Sequence, residues 1–279
     1  MVENPTRLVD WFRDLGAPVV VAFSGGVDSS VVACAASRSG VEATAVTARS
    51  PSVAQWQRDL ASDVAAAIGI EHLWVATDEW ERREYQRNDS DRCFHCKESL
   101  YRFLRRIASE RGATIVSGTN ADDLGDYRPG IEAGRQAEAR MPLAELGLKK
   151  SDVRELAHHW NLTNADLPAS PCLASRIAYG VEVTTDRLRR IEQAEGWLRQ
   201  HGLDDLRIRL HADELARIEV PNNRLPDVLR LAAEADLVVQ LKQMGFRYIS
   251  LDLEGLRTGS LNDVLVSLSL PKPASLAAP

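Results

Sequence analysis

The chain has 279 residues, with 34 Lys and Arg against 40 Asp and Glu, and the resulting formal charge of -6 excludes a uniformly basic nucleic-acid coat while leaving room for a local basic site. An apolar content of 44% is enough for one large core or two ordinary ones, which argues against global disorder. Apolar stretches such as residues 17–23 fall well short of the roughly 20 residues of a membrane helix, and the opening Met1-Val2-Glu3-Asn4-Pro5 lacks the order of a signal peptide, so a cytoplasmic protein with no membrane partner is expected.

Residues 19–23 form an apolar, β-branched run followed by Gly25-Gly26, the pattern of a buried strand, and residues 27–38 read as a helix stopped by Gly40. Residues 43–47 give a second strand. Val53, Trp56, Leu60, Val64 and Ile68 recur at helical spacing ahead of Gly69, and residues 73–76 make a third strand. A helix carrying Leu100, Leu104 and Ile107 leads to a fourth strand at 113–116. Strand and helix alternating in this way predict an α/β fold, a parallel sheet with helices on both faces and ligands at the carboxyl ends of the strands. Residues 78–92 and 120–134 lose the pattern and are candidate active-site loops. A second, small α+β domain is expected from residue 181. Thr184 or Thr185 caps a helix with Leu188, Ile191, Ala194 and Leu198, and strands follow at 206–210, 217–220 and 248–253. The predicted domains are thus 1–180, 181–270 and a frayed Pro-, Ala- and Ser-rich tail at 271–279.

Ser24-Gly25-Gly26-Val27-Asp28-Ser29-Ser30 stands between the first strand and its helix. Two glycines allow a tight turn and close approach of the backbone, the helix start adds unpaired N–H groups and a positive dipole end, and the serines add hydroxyl donors. No Gly-Lys-Ser/Thr of the Walker type is present. Gly118-Thr119-Asn120-Ala121-Asp122-Asp123 closes the fourth strand at the same sheet edge, where a turn of small residues and two carboxylates suit a nucleotide and a metal.

Of the four cysteines, Cys34 sits among Val31, Val32 and Ala35 and reads as a small core residue. Arg92-Cys93-Phe94-His95-Cys96-Lys97 is a CxxC pair, and Cys172 follows in the Pro-broken Pro171-Cys172-Leu173-Ala174-Ser175-Arg176. Three readings stand: a zinc site completed by His95 or His72, three thiolates on an iron–sulfur cluster with one iron left open, or a redox pair whose thiol pKa Arg92 and Lys97 lower. On the strand at 206–210, alternation puts Arg207, Arg209 and His211 on one face. Guanidinium forks there and at Arg176 suit phosphate and carboxylate, although a solvated strand face would look the same.

The loop at 24–30 resembles the pyrophosphate loop of the ATP-pyrophosphatase (PP-loop) superfamily, whose adenine nucleotide alpha hydrolase-like members split ATP into AMP and pyrophosphate. That resemblance implies ATP with Ser24, Gly25, Gly26, Ser29, Ser30 and Gly118 around it, and Mg2+ placed by Asp28. Together with residues 92–97, 118–123, Asp126-Tyr127-Arg128-Pro129-Gly130, 172–180 and Arg207-Ile208-Arg209-Leu210-His211, the chain resembles the LarE family, ATP-dependent sulfur transferases that build the nickel-pincer cofactor of lactate racemase. The resemblance implies a pyridinium-3,5-biscarboxylic acid mononucleotide substrate bound by Ser175, Arg176, Arg207 and Arg209. It also implies a sulfur-bearing Cys172, which is either sacrificed or shared with Cys93 and Cys96 in a [4Fe-4S] cluster, and a homo-oligomer. The three-cysteine pattern favours the cluster. A PP-loop tRNA thiolase and a non-catalytic adenine-nucleotide sensor are the rival expectations; the acidic balance speaks against nucleic acid, and a sensor leaves the cysteines and arginines without a use.

Overall fold

A computed structural model describes residues 5–125, 129–168, 170–257 and 259–261, so the readings of Asp126, Tyr127, Arg128 and of the tail at 271–279 lie outside the described residues. The chain divides into two compact units, residues 1–87 with 91–173 and residues 88–90 with 174–279. The division therefore falls at 173/174, earlier than the expected 180/181, and the short piece 88–90 belongs with the second unit. Asn88 accounts for that, since its buried side-chain amide donates to the carbonyls of Ile177, Ala178 and Val181.

Unit 1 runs α1 (Pro5–Leu15), β1 (Val19–Ala22), α2 (Val27–Ser39), β2 (Ala43–Arg49), α3 (Gln55–Ile68), β3 (Glu71–Ala76), α4 (Arg83–Gln86), α5 (Arg92–Arg111), β4 (Thr114–Ser117), α6 (Pro129–Gln136), α7 (Pro142–Glu145) and α8 (Lys150–His159). Its strands form a parallel sheet in the order β3-β2-β1-β4, with Val19 opposite both Ala43 and Thr114. Parallel strands covered on both faces need continuous apolar runs, and the period-2 pleat divides β1 between two cores. Val19 and Val21 pack with α1, α2, α3 and α8, while Val20 packs with Val46 and the inner faces of α5 and α6. Because β2 and β4 flank β1 on opposite sides, the chain reverses its winding at the carboxyl end of β1, where an open α/β sheet holds its ligand. The stretch 120–134, expected to be irregular, instead carries a 3-10 turn over Asp122–Gly125 and opens α6 at Pro129, a residue well suited to a first helical turn. Among the described residues no helix is long and apolar enough to cross a membrane.

Unit 2 contains α9 (Thr185–Gln200), β5 (Arg207–His211), β6 (Leu215–Glu219), α10 (Leu225–Glu234), α11 (Leu237–Gln243) and β7 (Tyr248–Leu251). Thr184 caps α9, its hydroxyl accepting the Arg187 N–H at 3.2 Å. β5 and β6 pair antiparallel, whereas β6 and β7 pair in parallel through α10 and α11. Leu188, Ile191 and Leu198 of α9 are buried, as are Ile208 and Leu210 of β5 and Ile218 of β6.

Candidate functional site

The loop leaving β1 is held by its own side chains. Gly25 takes φ 73, and a Cβ there would lie 2.7 Å from the Ala61 Cα of α3, so both the left-handed backbone and the close approach demand glycine. Gly118 is constrained in the same way, because a Cβ would come within 2.7 Å of the Ser29 nitrogen. The end of β4 thus presses directly on the start of α2, and the two loops predicted to share a sheet edge do so. Within the first loop, Ser24 Oγ accepts the Gly26 N–H at 3.3 Å, and the hydroxyls of Ser29 and Ser30 donate to the Gly26 carbonyl at 3.0 and 2.9 Å. The first N–H groups of α2 have no partner within the helix and a positive dipole end behind them, which suits an anion. Ser24 is exposed, Asp28 is partly so, and Ser30 is fully buried.

Asp28 is engaged at both oxygens: Lys150 Nζ reaches Oδ2 at 2.5 Å, and the Asn120 amide donates to Oδ1 at 3.2 Å. The Lys150 backbone N–H also donates to Asp122 at 2.9 Å, which ties the start of α8 to the β4 loop. Lys150 was not legible as a site residue, because nothing in its spacing distinguishes it from any lysine opening a surface helix. Among the described residues no three His, Cys, Asp or Glu side chains are grouped to hold a metal.

Cys93 and Cys96 lie one turn apart at the start of α5, with Cys93 exposed and Cys96 half-buried. Burial pushes the Cys96 thiol well up, and the charges of Glu79, Cys172 and Cys93 add to this against a smaller opposing effect of Lys97. The expectation that neighbouring cations lower this thiol is therefore reversed by burial and by Glu79, whose carboxylate is fully buried, with Oε1 accepting from Ser50 and Oε2 unpartnered. Cys172 and Cys96 also raise the buried Tyr85 hydroxyl after burial itself, so the three cysteines and Tyr85 share one electrostatic neighbourhood of unit 1. Of the two histidines the zinc reading calls on, His95 keeps an Nδ1 that is buried without a hydrogen-bond partner. His72 is bonded to Thr47 at 2.8 Å and packed on Phe23 and Trp74, while His95 pairs with Asp91 at 3.3 Å. Cys34 is a core residue, its thiol raised by burial and accepting from Arg38 at 3.3 Å.

Arg176 and Arg209 are buried and Arg207 is half-buried, contrary to the solvated-face reading. Arg176 is 1% exposed and grips Glu195 with Nε to Oε1 at 2.9 Å, and Arg199 reaches the other oxygen at 3.0 Å. Arg209 donates to Glu219 at 2.9 Å, to the Ser175 carbonyl at 3.0 Å and to Ser260 at 3.1 Å, while Arg217 takes the second Glu219 oxygen at 2.9 Å. Arg207 donates to the Leu206 carbonyl at 2.6 Å, and its guanidinium is pushed down to about 10 by burial and by the charge of Arg176. His211 is likewise lowered, by burial and then by Arg217, and its Nε2 is buried without a partner. Arg176 and Arg199 thus pair with the buried Glu195, and Arg209 and Arg217 with the buried Glu219, with Asp252 near Arg217 at 3.6 Å and Arg207 in the same charged neighbourhood. Neither Glu195 nor Glu219 was singled out in the sequence. Each stands in an amphipathic pattern where a glutamate reads as solvated.

A family model described as asparagine synthase matches residues 15–160. An uncharacterised protein of Synechocystis sp. is 41% identical over 88% of this chain and 92% of its own length. The pyridinium-3,5-bisthiocarboxylic acid mononucleotide synthase of Lactiplantibacillus plantarum is 37% identical over 97% of this chain and 98% of its own. The tRNA-specific 2-thiouridylase MnmA of Azorhizobium caulinodans is 31% identical, but over only 54% of this chain and 49% of its own. The match to the synthase runs through both units, and the loop after β1 has the geometry such an enzyme needs. The chain belongs to the pyridinium-3,5-bisthiocarboxylic acid mononucleotide synthase (LarE) family of PP-loop enzymes.

Proposed function

We propose that the protein is an ATP-dependent sulfur transferase that adenylates the carboxylates of pyridinium-3,5-biscarboxylic acid mononucleotide and converts them to thiocarboxylates for nickel-pincer cofactor synthesis. The observation that carries this reading is the gathering of Arg176, Arg207 and Arg209 close enough to sense one another's charge, since guanidinium groups suit a ligand bearing a phosphate and two carboxylates. In the first step a substrate carboxylate oxygen attacks the α-phosphorus of ATP, and pyrophosphate leaves toward the loop formed by Ser24, Gly25, Gly26, Ser29 and Gly118. Mg2+ held by Asp28 would supply charge neutralisation on the phosphates. In the second step a sulfur nucleophile attacks the acyl carbon, and AMP departs with the electron pair of the broken C–O bond.

For the sulfur source we take Cys93, Cys96 and Cys172 as holders of a [4Fe-4S] cluster, which when bound would supply a transferable sulfide. The thiols fit in kind and in their shared neighbourhood, while closure of all three around iron would require side-chain movement, since they form no metal-holding group. The alternative source is Cys172 itself, consumed once with loss of its sulfur. Self-association through unit 2 belongs to the same reading and is supported by its exposed Leu229, Val239, Tyr248 and Leu253. The partial likeness to MnmA keeps a tRNA thiolase as second reading. Anaerobically prepared protein given ATP, Mg2+ and the mononucleotide is expected to release pyrophosphate and form a product heavier by the oxygen-to-sulfur exchange. Release that requires tRNA and ignores the mononucleotide would select the second reading.

A further inference from the structure

Asn164 follows α8 and is far in sequence from the nucleotide loop, yet its side chain is fully buried against it. Its Nδ2 donates to the Gly25 carbonyl at 2.6 Å and to Ser30 Oγ at 2.9 Å. The Ser30 hydroxyl passes its own proton to the Gly26 carbonyl at 2.9 Å. The Gly25 carbonyl only accepts, so it fixes which end of the amide faces the loop. Asn164 Oδ1, at the other end, is buried with no partner. An unpaired buried amide oxygen is unfavourable, and a leucine of similar size would avoid it. The amide earns its place only through the two bonds it donates. The segment behind it is anchored as well, since Arg154 of α8 donates to the carbonyls of Ala165 at 3.1 Å and Leu167 at 3.2 Å.

We infer that Asn164 and Ser30 form a brace that holds the loop in its anion-binding shape before nucleotide arrives, and that the Ser30 hydroxyl is part of this brace rather than a contact to pyrophosphate. The three serines therefore divide. Ser24 is exposed and bonds to Ser29 at 3.2 Å, and the Ser29 hydroxyl also reaches the Gly26 carbonyl at 3.0 Å, whereas Ser30 is held between Gly26 and the side chain of Asn164. Asn164 acts through the loop and is a positioning residue. It contributes by removing the cost of ordering Gly25 and Gly26 on binding.

This rests on the adenylation reading, and two readouts separate them. In pyrophosphate release, Asn164→Leu and Ser30→Ala are each expected to raise the KM for ATP by about tenfold with a smaller change in kcat, the scale of one lost hydrogen bond. The double variant should be no worse than Asn164→Leu alone, and Asn164→His, which keeps one donor, should recover part of the loss. In hydrogen exchange, which needs no activity, the Gly26 and Ser30 amides should exchange about tenfold faster in either single variant. Independent, multiplying effects of the two substitutions, or unchanged exchange in both, would overturn the brace. A wild type that releases no pyrophosphate while its variants show the exchange change would overturn adenylation and leave the brace. Should Asn164→Leu fail to fold, Ser30→Ala and Asn164→His decide the matter by the same two measurements.

Discussion

Glu195→Gln tests whether the buried charges of unit 2 are coupled as the geometry requires. Glu195 Oε1 accepts Arg176 Nε at 2.9 Å and the Ile208 N–H at 3.2 Å, and Oε2 accepts Arg176 at 3.3 Å and Arg199 at 3.0 Å. Glutamine preserves the shape and one acceptor but removes the charge, and it turns an NH2 group against guanidinium donors. Arg176, at 1% exposure, then loses the carboxylate it grips. Breaking a buried pair from one side costs about 3–5 kcal/mol, and the retained acceptor places this change near the lower end. For a cooperative unit of about 100 residues that is a fall in Tm of roughly 10–20 °C, read by calorimetry or circular dichroism. The pH dependence gives a second check. Burial alone would raise the Glu195 carboxyl, but Arg176, then Arg199 and Arg207, outweigh it and hold the group below its ordinary value. A depressed folded pKa contributes stability that is complete above the unfolded value of about 4.3 and is lost as pH falls through the folded one. The Tm gap between wild type and variant should thus be constant at neutral pH and shrink in acid. A gap below about 2 °C at pH 7, or one that acid does not reduce, would refute the coupling.

Asp28→Asn should lower magnesium-dependent pyrophosphate release by about a hundredfold with an unchanged circular dichroism spectrum, and undiminished release would remove Asp28 from the mechanism. Arg207→Ala should raise the KM for the mononucleotide by at least tenfold while the KM for ATP stays within about twofold, since each close charge-assisted contact is worth roughly 1.5–3 kcal/mol; equal loss for both ligands would place the residue at the nucleotide. Serine at Cys93, Cys96 or Cys172 should remove most of the iron from anaerobically prepared protein. Metal-free wild type that still makes one thiocarboxylate per chain while Cys172 loses hydrogen sulfide would instead establish the sacrificial route.

The sheet of unit 1 was legible because its signals are local. Val19, Val20 and Val21 form an apolar run too short for a helix, and the glycines behind the helices stop them where the periodicity ends. The loop at 24–30 was legible for the same reason: turn, helix start and hydroxyl donors are contiguous. Helices α1, α6 and α8 were not read although each is amphipathic, with Leu8, Phe12 and Leu15 of α1 recurring at helical spacing toward the core. The unit boundary falls before the expected 180 because Ile177 pairs with Leu210 of β5 and the Ala178 N–H donates to the Leu210 carbonyl at 2.9 Å, contacts with no sequence signature.

The arginines show what alternation does and does not determine. It places Arg207, Arg209 and His211 on one face of β5, and that face exists, but a strand face says nothing of what lies over it. Glu195 from α9 and Glu219 from β6 make burial tolerable by pairing with Arg176 and Arg209. Arg207 differs from these two. Burial and then Arg176 push its guanidinium down to about 10, against an opposing effect of Glu195. On the proposed reading, Arg176 and Arg209 are each held by a buried carboxylate, and an incoming phosphate or carboxylate would favour the charged form of Arg207. Binding free energy therefore concentrates there, so Arg207→Ala should weaken the mononucleotide with little loss of Tm. Arg209→Ala strips a partner from the fully buried Glu219, and its main effect should be on stability.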